Sequence, residues 1–351
     1  MDSLAAARKY SDLVGEALGY SPVEVNVTPL TLGNSGVSVV RLHGKTASGG
    51  EFSVVVKARA NSQPHAALWY VEDKDALDRE YLVYGILERL ALPHPRILAR
   101  RYGGPSDWTL VLEDLAERYR LPETGCMFSQ SNRNSVIDTY ALIHSKTMGI
   151  ALRETCPLHE EGSEVTADVA KEMLGTLGAF EIDGARLKPD EFDYALSILL
   201  ECRTRWADEP RCLVYGDFHH TNVALPRNEG GHAVLFDWEL ARAGLPQFDA
   251  LNAGFADEAG LARYAETMQA NGVKIDLARF RAGLKYAELS AVFYTLWLLH
   301  TKLKKDSHGR LPNWMRRLAK ELFEGGLAAR ARDCGECGGP HQQQRQWRTQ
   351  N

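Results

Sequence analysis

Asp217, Asn222 and Asp237 stand at or just beyond the ends of two apolar runs, and their side chains suit phosphoryl transfer. In 213–225, LVYGDFHHTNVAL, the aspartate ends the first run and the asparagine follows five positions later; in 232–238, HAVLFDW, the second aspartate ends the other run. An amide oxygen and a carboxylate can hold Mg²⁺ against a triphosphate, while another carboxylate orients and deprotonates an acceptor hydroxyl. Taken singly, these residues are typical of turns and caps. As a set, they predict a phosphoryl-transfer site.

Both apolar runs are short and bounded by polar residues, so we expect two strands, 211–217 and 232–238. Side chains at the ends of two adjacent strands can converge on one cation, which leads us to expect that these strands are neighbours. His219 and His220 also suit a metal by type, but adjacent histidines project in different directions, unlike ligands at helical i,i+4 spacing. We therefore expect no histidine metal site here.

A glycine-rich hairpin and a lysine in the first third of the chain suit a nucleotide. The hairpin GNSG lets backbone amides approach phosphate oxygens, although this sequence is also typical of an ordinary turn. Lys57 lies among strand-like apolar residues, where a lysine needs a partner, and Glu80 is the candidate. Such a pair can hold the α- and β-phosphates; the alternative is an edge-strand lysine in solvent. The hairpin residues are Gly33, Asn34, Ser35 and Gly36.

The residues up to 115 predict a sheet that carries one helix. Runs of β-branched residues bounded by turn formers predict five antiparallel strands. Leu77, Tyr81, Tyr84 and Leu87 have helical spacing between the third and fourth strands, and a short amphipathic helix precedes the sheet. The predicted strands are 23–32, 36–44, 51–60, 96–102 and 108–115, and the predicted helices of this part are 4–18 and 75–90.

Beyond residue 115 the pattern is mostly helical, so the fold class is α+β with two lobes. We expect a small N-terminal nucleotide-binding lobe, 1–115, and a larger catalytic and acceptor-binding lobe, 116–330. The polar, low-complexity segment 331–351 is predicted to be a disordered tail. Its Cys334 and Cys337 form a single C-x-x-C motif, which lacks the four ligands of a typical zinc site. The predicted helices are 134–152, 190–206, 277–303 and 313–329.

The order of these motifs resembles the aminoglycoside phosphotransferase and choline kinase superfamily, which has a protein-kinase-like bilobal fold. The resemblance covers 22–300 and is most specific from Tyr215 to Asp249, where YGDFHHTN and FDWELARAG are similar to the family patterns H-G-D-x-x-x-x-N and I-D-W/F-E. Tyr215 stands where the family usually has a histidine, a change that bears on loop geometry more than on chemistry. His144, in the helix end ALIHS, corresponds to a packing residue.

The resemblance also implies a role for each matching residue. Asp217 corresponds to the catalytic aspartate, Asn222 and Asp237 to the Mg²⁺ ligands, and Asp249 to a structural aspartate. The phosphoryl donor is ATP or GTP, because the hinge segment LVLEDL reads the nucleobase mainly through backbone groups. The implied nucleotide-binding residues are Gly33, Asn34, Ser35, Gly36, Lys57, Glu80, Glu113 and Leu115.

Composition and charge disfavour several other classes of protein. The 351 residues are 44% hydrophobic and 25% charged, which is typical of a globular chain, and the net charge of −5 gives no general attraction to nucleic acid or anionic membrane. The N-terminus lacks the apolar core of a signal peptide, and no apolar run has the length of a membrane span. We therefore expect a cytoplasmic monomer or weak dimer whose partners are a nucleoside triphosphate and a small-molecule acceptor, with no nucleic acid or membrane.

The acceptor is expected to be small, because only twelve positions separate Asp237 from Asp249 and no Ala-Pro-Glu follows, unlike in protein kinases. An aminoglycoside or other hydroxylated antibiotic is the first expectation. The alternatives are choline, an amino sugar or another metabolite alcohol, or a catalytically inactive nucleotide-binding protein. Acidic loop residues and an aromatic helix stripe are candidate acceptor contacts, although solvated loops and core packing are the commoner explanations. These residues are Glu160, Glu161, Glu164, Asp257, Glu258, Tyr286, Phe293, Tyr294 and Trp297.

Overall fold

The computed structural model of the protein describes most of the chain. The predicted glycine-rich hairpin, 33–36, lies outside the described residues, as do the acidic residues Glu160, Glu161 and Glu164 and the cysteine Cys337. The described residues are 3–20, 22–32, 37–59, 76–104, 107–122, 128–152, 158, 165–228, 230–305, 311 and 313–336.

Helices and short strands alternate after an initial sheet. The described strands are β1 (Pro22–Leu32), β2 (Ser38–Thr46), β3 (Glu51–Arg59), β4 (Ile97–Gly104), β5 (Asp107–Glu113), β6 (Tyr119–Arg120), β7 (Glu181–Ile182), β8 (Ala185–Arg186), β9 (Cys212–Val214), β10 (Val223–Pro226), β11 (Val234–Leu235) and β12 (Arg242–Gly244). The described helices are α1 (Ser3–Leu18), α2 (Ala76–Arg89), α3 (Gln130–Thr147), α4 (Ala167–Gly178), α5 (Pro189–Arg205), α6 (Gln247–Asn252), α7 (Glu258–Ala270), α8 (Leu277–Lys305), α9 (Asn313–Glu321) and α10 (Leu327–Glu336).

The chain divides into two compact units, each built from separate stretches of sequence. The first unit contains 1–143, 153–158 and 217–241, and the second contains 144–152, 159–216 and 242–351. Asp217, Asn222 and Asp237 therefore belong to the same unit as the N-terminal sheet. The lobe predicted from the sequence begins at residue 116 and includes these three residues, because a continuous boundary cannot represent a segment that returns to the first unit.

The first unit contains the predicted five-stranded antiparallel sheet, with strand order β1-β2-β3-β5-β4. Val54, Val56 and Ala58 of β3 share one core cluster with apolar residues of α1. Since successive side chains of a strand point to opposite faces, Lys57 lies on the other face. There it meets Glu80 of α2. The predicted strands and the helix between the third and fourth of them are confirmed.

Three small sheets follow the five-stranded one among the described residues, and the pairing in two of them corrects one expectation. β10 pairs with both β11 and β6, whereas β9 pairs with β12. The strands predicted at 211–217 and 232–238 are therefore not neighbours. The apolar residues that follow Asn222 form a separate strand, and this strand is the partner closest in sequence to β11, so the two pair as a hairpin.

The second unit is mostly helical and ends in a helix that the sequence analysis missed in part. A π-helical turn, Leu322–Gly326, separates α9 from α10, and α10 continues to Glu336. The expected disorder from residue 331 is thus wrong for 331–336. One face of α10 is apolar and buried. Its residues are Leu327, Ala331 and Cys334, which have helical spacing. Of the helices that the structure describes, none has the length and apolar character needed to cross a bilayer.

Candidate active site

A buried ion pair joins β3 to α2, as the sequence predicted. Lys57 Nζ lies 2.5 Å from Glu80 Oε1, and both side chains are almost completely buried. A lysine in this position needs a partner because a lone buried ammonium is very costly. This burial excludes the alternative interpretation of Lys57, that it is an edge-strand lysine whose side chain lies in solvent.

The same lysine contacts a second carboxylate, which comes from the loop after β11. Lys57 Nζ lies 2.8 Å from Asp237 Oδ1, and about a third of the Asp237 side chain, 35%, is exposed to solvent. Burial by itself would lower the pKa of Lys57, but the attraction of Glu80 and Asp237 outweighs it and raises the pKa well above the usual lysine value. Lys57 is therefore a cation held between one enclosed carboxylate and one that solvent can reach.

The backbone at Asp237 is unusual in a way that suits its position. Its φ is 68°, in the left-handed region that most non-glycine residues avoid and that aspartate tolerates better than most. α2 also holds the two residues that follow. Arg79 Nη1 donates to the backbone carbonyl of Glu239 at 3.2 Å, and the Trp238 amide donates to the Glu80 carboxylate. Two consecutive α2 residues thus anchor this loop.

Strand pairing places Asn222 beside the loop that carries Asp237. Asn222 directly precedes β10, and the Phe236 amide donates to its backbone carbonyl at 3.1 Å. Its side-chain Nδ2 donates to Asp217 Oδ2 at 3.2 Å. Because the amide nitrogen is used in this way, the amide oxygen is the atom that a cation can take. The three polar residues found in the sequence are therefore brought together by the β10–β11 hairpin.

In the second unit, a buried aspartate fixes the backbone that leads to Asp217. Asp249 accepts hydrogen bonds from the amides of Tyr215 and Gly216 at 2.8 and 3.0 Å. His144 Nε2 lies 3.0 Å from Asp249 Oδ2, and its Nδ1 lies 2.8 Å from the Tyr264 hydroxyl. Gly216 has a φ of 78°, a conformation that glycine adopts without strain. The packing function expected for His144 and the structural function expected for Asp249 agree with this arrangement.

The segment after β5 is held by the aspartate of LVLEDL, whose role the sequence analysis missed. Asp114 accepts hydrogen bonds from Ser53 at 2.6 Å and from the Ala116 amide at 3.1 Å, and it pairs with Arg41 at 2.6 Å. Although burial would raise the pKa of Asp114, these contacts hold it below the usual carboxyl range. The sequence did contain a signal for this role, because an aspartate three residues before Glu117 is in the position of a helix N-cap.

Glu113 and Leu115, the predicted hinge residues, flank this aspartate. The Glu113 carboxylate accepts from the Arg96 amide and from the Arg118 side chain, both at 2.9 Å. Leu115 begins a 3₁₀ turn, Leu115–Glu117, and its side chain packs in a small apolar cluster. The Glu113 amide donates to the Arg96 carbonyl at 2.9 Å, so both the side chain and the backbone of this residue are held by contacts within the protein.

Several other candidate contacts lie in ordinary structural positions. Asp257 caps α7, where its Oδ1 accepts from the Gly260 amide at 2.8 Å. Tyr286 and Phe293 are buried in the core, so they cannot form an aromatic wall. Two further aromatic residues of α8 are half-buried and stack on each other; they are Tyr294 and Trp297, with ring centroids 5.7 Å apart.

The histidines beside Asp217 differ in exposure. His219 is exposed, while His220 is half-buried with its ring centroid 6.5 Å from that of Phe128. The catalytic aspartate predicted from the sequence accepts a hydrogen bond from the side-chain amide of Asn222 at 3.2 Å.

Replacing Asp114 by alanine is expected to destabilise the protein by about 1–3 kcal/mol, because a buried donor set loses its acceptor. Since the pKa of Asp114 is lowered in the folded protein, its ionised form contributes stability above the ordinary carboxyl pKa of about 3.9. That contribution disappears as the pH falls through the lower folded-state pKa. Denaturant unfolding across this pH range measures it. Glu117→Ala, an exposed change in the same turn, is the matched control, and equal losses in both variants would contradict the assignment.

The comparisons with known proteins agree with this geometry. Residues 63–282 match the family model described as the phosphotransferase enzyme family. Macrolide 2'-phosphotransferase MphH from Brachybacterium faecium is similar in structure, with a TM-score of 0.55, 13% identity, and coverage of 91% of this chain and 98% of that one. Choline kinase LicA from Streptococcus pneumoniae has a TM-score of 0.53, 13% identity, and coverage of 93% and 99%.

A third similar structure is the GDP and kanamycin complex of APH(2")-IIia, with a TM-score of 0.56, 10% identity, and coverage of 92% of this chain and 99% of that one. At these identities, the likeness establishes the protein-kinase-like fold alone. Among proteins with curated functions, none matches this sequence significantly. The family model covers more than half of the 351 residues. The chain therefore belongs to the phosphotransferase enzyme family, and it is a phosphotransferase that acts on hydroxyl acceptors.

Proposed function

We propose that this protein transfers the γ-phosphoryl group of a Mg-nucleoside triphosphate to a hydroxyl group of an aminoglycoside or another hydroxylated antibiotic. The observation that carries the proposal is the convergence of one amide and two carboxylates in the first unit. The Asn222 side chain donates to Asp217, and its backbone carbonyl accepts a hydrogen bond from the residue before Asp237. Asp237 in turn contacts Lys57. In this arrangement Asp217 serves the acceptor, whereas Asn222 and Asp237 serve the metal and Lys57 serves the phosphates.

The residues present fit a magnesium ion. Mg²⁺ prefers oxygen ligands and is usually held by one or two carboxylates together with phosphate oxygens. The Asp237 carboxylate contacts the Lys57 ammonium, and about a third of its side chain is exposed to solvent. A cation from solution can therefore approach this carboxylate. In this proposal Asp237 and the Asn222 amide oxygen hold the ion. When bound, Mg²⁺ neutralises charge on the β- and γ-phosphate oxygens.

Lys57 and the hinge are proposed to bind the nucleotide. Glu80 keeps the ammonium of Lys57 in place, and the lysine donates to phosphate oxygens. The backbone of Glu113 and Leu115 meets the base, which leaves ATP and GTP as donors. The remaining phosphate contacts are assigned to the hairpin residues Gly33, Asn34, Ser35 and Gly36, by resemblance alone.

Asp217 is proposed to act on the acceptor. Its carboxylate accepts a hydrogen bond from the acceptor hydroxyl, orients the oxygen toward the γ-phosphorus and takes the proton as the bond forms. The hydrogen bond from Asn222 Nδ2 to Asp217 Oδ2 holds the carboxylate in one orientation. Orientation matters because a hydroxyl held in line with the phosphoryl group has already lost its translational freedom.

Lys57→Ala is expected to weaken Mg-nucleotide binding by about 1–3 kcal/mol, the scale of a lost charge-assisted contact. Calorimetry and the nucleotide KM measure the effect. The change also leaves Glu80 buried without its cation, so stability falls as well. The double variant Lys57→Ala, Glu80→Gln separates the two effects, because it removes the unpaired charge. Recovery of both stability and nucleotide affinity in the double variant would show that Lys57 serves the fold only.

The choice of acceptor is supported by two of the similar structures, whose names specify a macrolide 2'-phosphotransferase and a complex with kanamycin. Macrolides and kanamycin are both polyhydroxylated antibiotics. A choline kinase is similar in fold to the same extent, so choline is the principal competing acceptor. The experiment must therefore compare acceptors directly.

The test is a transfer assay with the purified protein, Mg²⁺ and either ATP or GTP against a panel of aminoglycosides, macrolides, choline and amino sugars. Product mass spectrometry identifies the phosphorylated acceptor, and Asp217→Asn prepared in parallel controls for contaminating kinases. Phosphorylation of an antibiotic with the highest kcat/KM supports the proposal. Preference for choline or an amino sugar overturns the acceptor assignment. Nucleotide binding without transfer to any acceptor supports a nucleotide-binding protein instead.

A further inference from the structure

Two cysteines that are distant in sequence meet in the second unit. Cys202 lies near the end of α5 and Cys334 lies in α10, and their Sγ atoms are 3.1 Å apart. Each residue is only 2% exposed. Both are free thiols, as is the buried Cys212, whose Sγ donates to the Gly244 carbonyl at 3.5 Å. Of the cysteines that the structure describes, only Cys202 and Cys334 are in contact with each other.

We propose that Cys202 and Cys334 form a disulfide bond when the protein encounters a low-molecular-weight disulfide, and that this bond locks α10 onto α5. The two helices already pack against each other. The cross-link joins positions 132 residues apart, so it constrains the unfolded chain over a long loop. The cysteine pair belongs to the second unit and the phosphoryl-transfer residues to the first, and the proposal does not depend on the function proposed for them.

Cys202 is a suitable attacking group. The hydrogen bond with Cys334 lowers the pKa of the Cys202 thiol, burial opposes this, and the nearby positive charge of Arg205 adds to the lowering. A thiol with a lowered pKa has more of the reactive thiolate near neutral pH. The Cys212 thiol contacts the Gly244 carbonyl instead, so it serves as an internal comparison.

The reaction proceeds in two exchanges and needs no metal. The Cys202 thiolate attacks one sulfur of the small disulfide, RSSR, to form a mixed disulfide, and one RS⁻ leaves and takes up a proton. Cys334, having released its proton to solvent, then attacks the Cys202 sulfur, and the second RS⁻ leaves. Two protein thiols are oxidised to one disulfide, and one RSSR is reduced to two RSH.

The fold offers a route for the small disulfide to reach these buried sulfurs. α10 follows the π-helical turn Leu322–Gly326, in which Gly325 has a φ of 106°. π-helical turns and glycines are places where a helix bends, and segments of a folded protein open locally at a lower cost in free energy than global unfolding. Arg330 and Asp333 pair with α8 residues at 3.4 and 3.9 Å, and such partly exposed ion pairs contribute little to stability. We expect local opening of α10 at this turn to expose both sulfurs, and the internal disulfide forms when α10 packs back onto α5.

The experiment treats the full chain with oxidised glutathione, blocks the remaining thiols with N-ethylmaleimide, and maps the peptides without reduction. The expected result is a peptide pair linked through Cys202 and Cys334, together with a rise in Tm of about 5 °C that dithiothreitol reverses. Cys334→Ala and Cys202→Ala should each lose both the link and the rise. Cys212→Ala should keep both.

Three other outcomes overturn the proposal. A link between Cys334 and Cys337 would show that the C-x-x-C pair is the preferred disulfide. Stable glutathione adducts on Cys202 without the internal link would show that Cys334 does not reach it. A protein that keeps all its thiols while chemically unfolded controls become oxidised would show that α10 does not open. Because the linked peptides are sought in the unmodified protein, the result does not depend on how well the variants fold.

Discussion

Asp217→Asn is expected to reduce phosphoryl transfer by about 10²–10⁴-fold while Mg-nucleotide affinity stays nearly unchanged. The substitution keeps the size of the side chain and one acceptor oxygen but removes the negative charge. An amide cannot take the proton of the acceptor hydroxyl, and that contact matters chiefly as the transition state forms. The expected kinetic result is a fall in kcat with little change in the nucleotide KM.

The structure adds a specific reason to compare this variant with a change at its partner. Asn222 Nδ2 donates to Asp217 Oδ2, so Asn222→Ala removes this hydrogen bond and also removes a proposed metal ligand. We expect Asn222→Ala to lower both kcat and Mg-nucleotide affinity, unlike Asp217→Asn. Asp193→Asn, on an exposed position of α5, is the matched control and should leave both unchanged. If Asp217→Asn keeps most of the wild-type rate on the preferred acceptor, Asp217 is not the catalytic residue.

Asp237→Asn is expected to abolish Mg-dependent nucleotide binding and turnover while the fold stays intact. The reason is that so few protein carboxylates serve the ion, so loss of one charge removes most of the protein's attraction for it. Asparagine is a better test than alanine, because both asparagine and aspartate tolerate a φ of 68°. Asp237→Ala should give the same loss of binding with an added cost in stability of about 1–2 kcal/mol from the left-handed backbone.

Calorimetry with the nucleotide in the presence of Mg²⁺ or of EDTA measures the metal-dependent part of binding directly. In Asp237→Asn the two titrations should coincide, whereas in the wild-type protein Mg²⁺ should increase the affinity. The Lys57–Glu80 ion pair remains in this variant, so the free energy of unfolding should change little. A variant that retains Mg-dependent affinity would remove Asp237 from the metal site and leave it as a partner of Lys57 alone.

The sequence was most informative where a pattern reflects short-range geometry. The five antiparallel strands follow from β-branched runs between turn formers, and the structure contains all of them. The Lys57–Glu80 pair could also be predicted, because a lysine in a buried strand requires a nearby carboxylate and the next helix offered one. Both inferences depend on residues that are close in sequence or that have few possible partners.

Expectations failed where pairing or packing is decided at long range. The run 223–226 has no strong signal of its own, yet it forms the strand that pairs with β11 and places Asn222 beside Asp237. The segment 331–336 was predicted to belong to a polar tail, but its few apolar residues are buried within the second unit. A short segment takes its structure from what it packs against, and that partner cannot be read from its own composition.

By itself the sequence determined which groups are available for chemistry: the carboxylates Asp217 and Asp237, the amide Asn222 and the ammonium Lys57, on elements of a protein-kinase-like fold. Only the tertiary structure decided how each of them is held. It showed that Lys57 contacts Asp237 as well as Glu80, that Asp114 binds two strands, and that Cys202 meets Cys334. These contacts join residues 61 to 180 positions apart, and such pairs are selected by the packing of whole elements rather than by any local pattern.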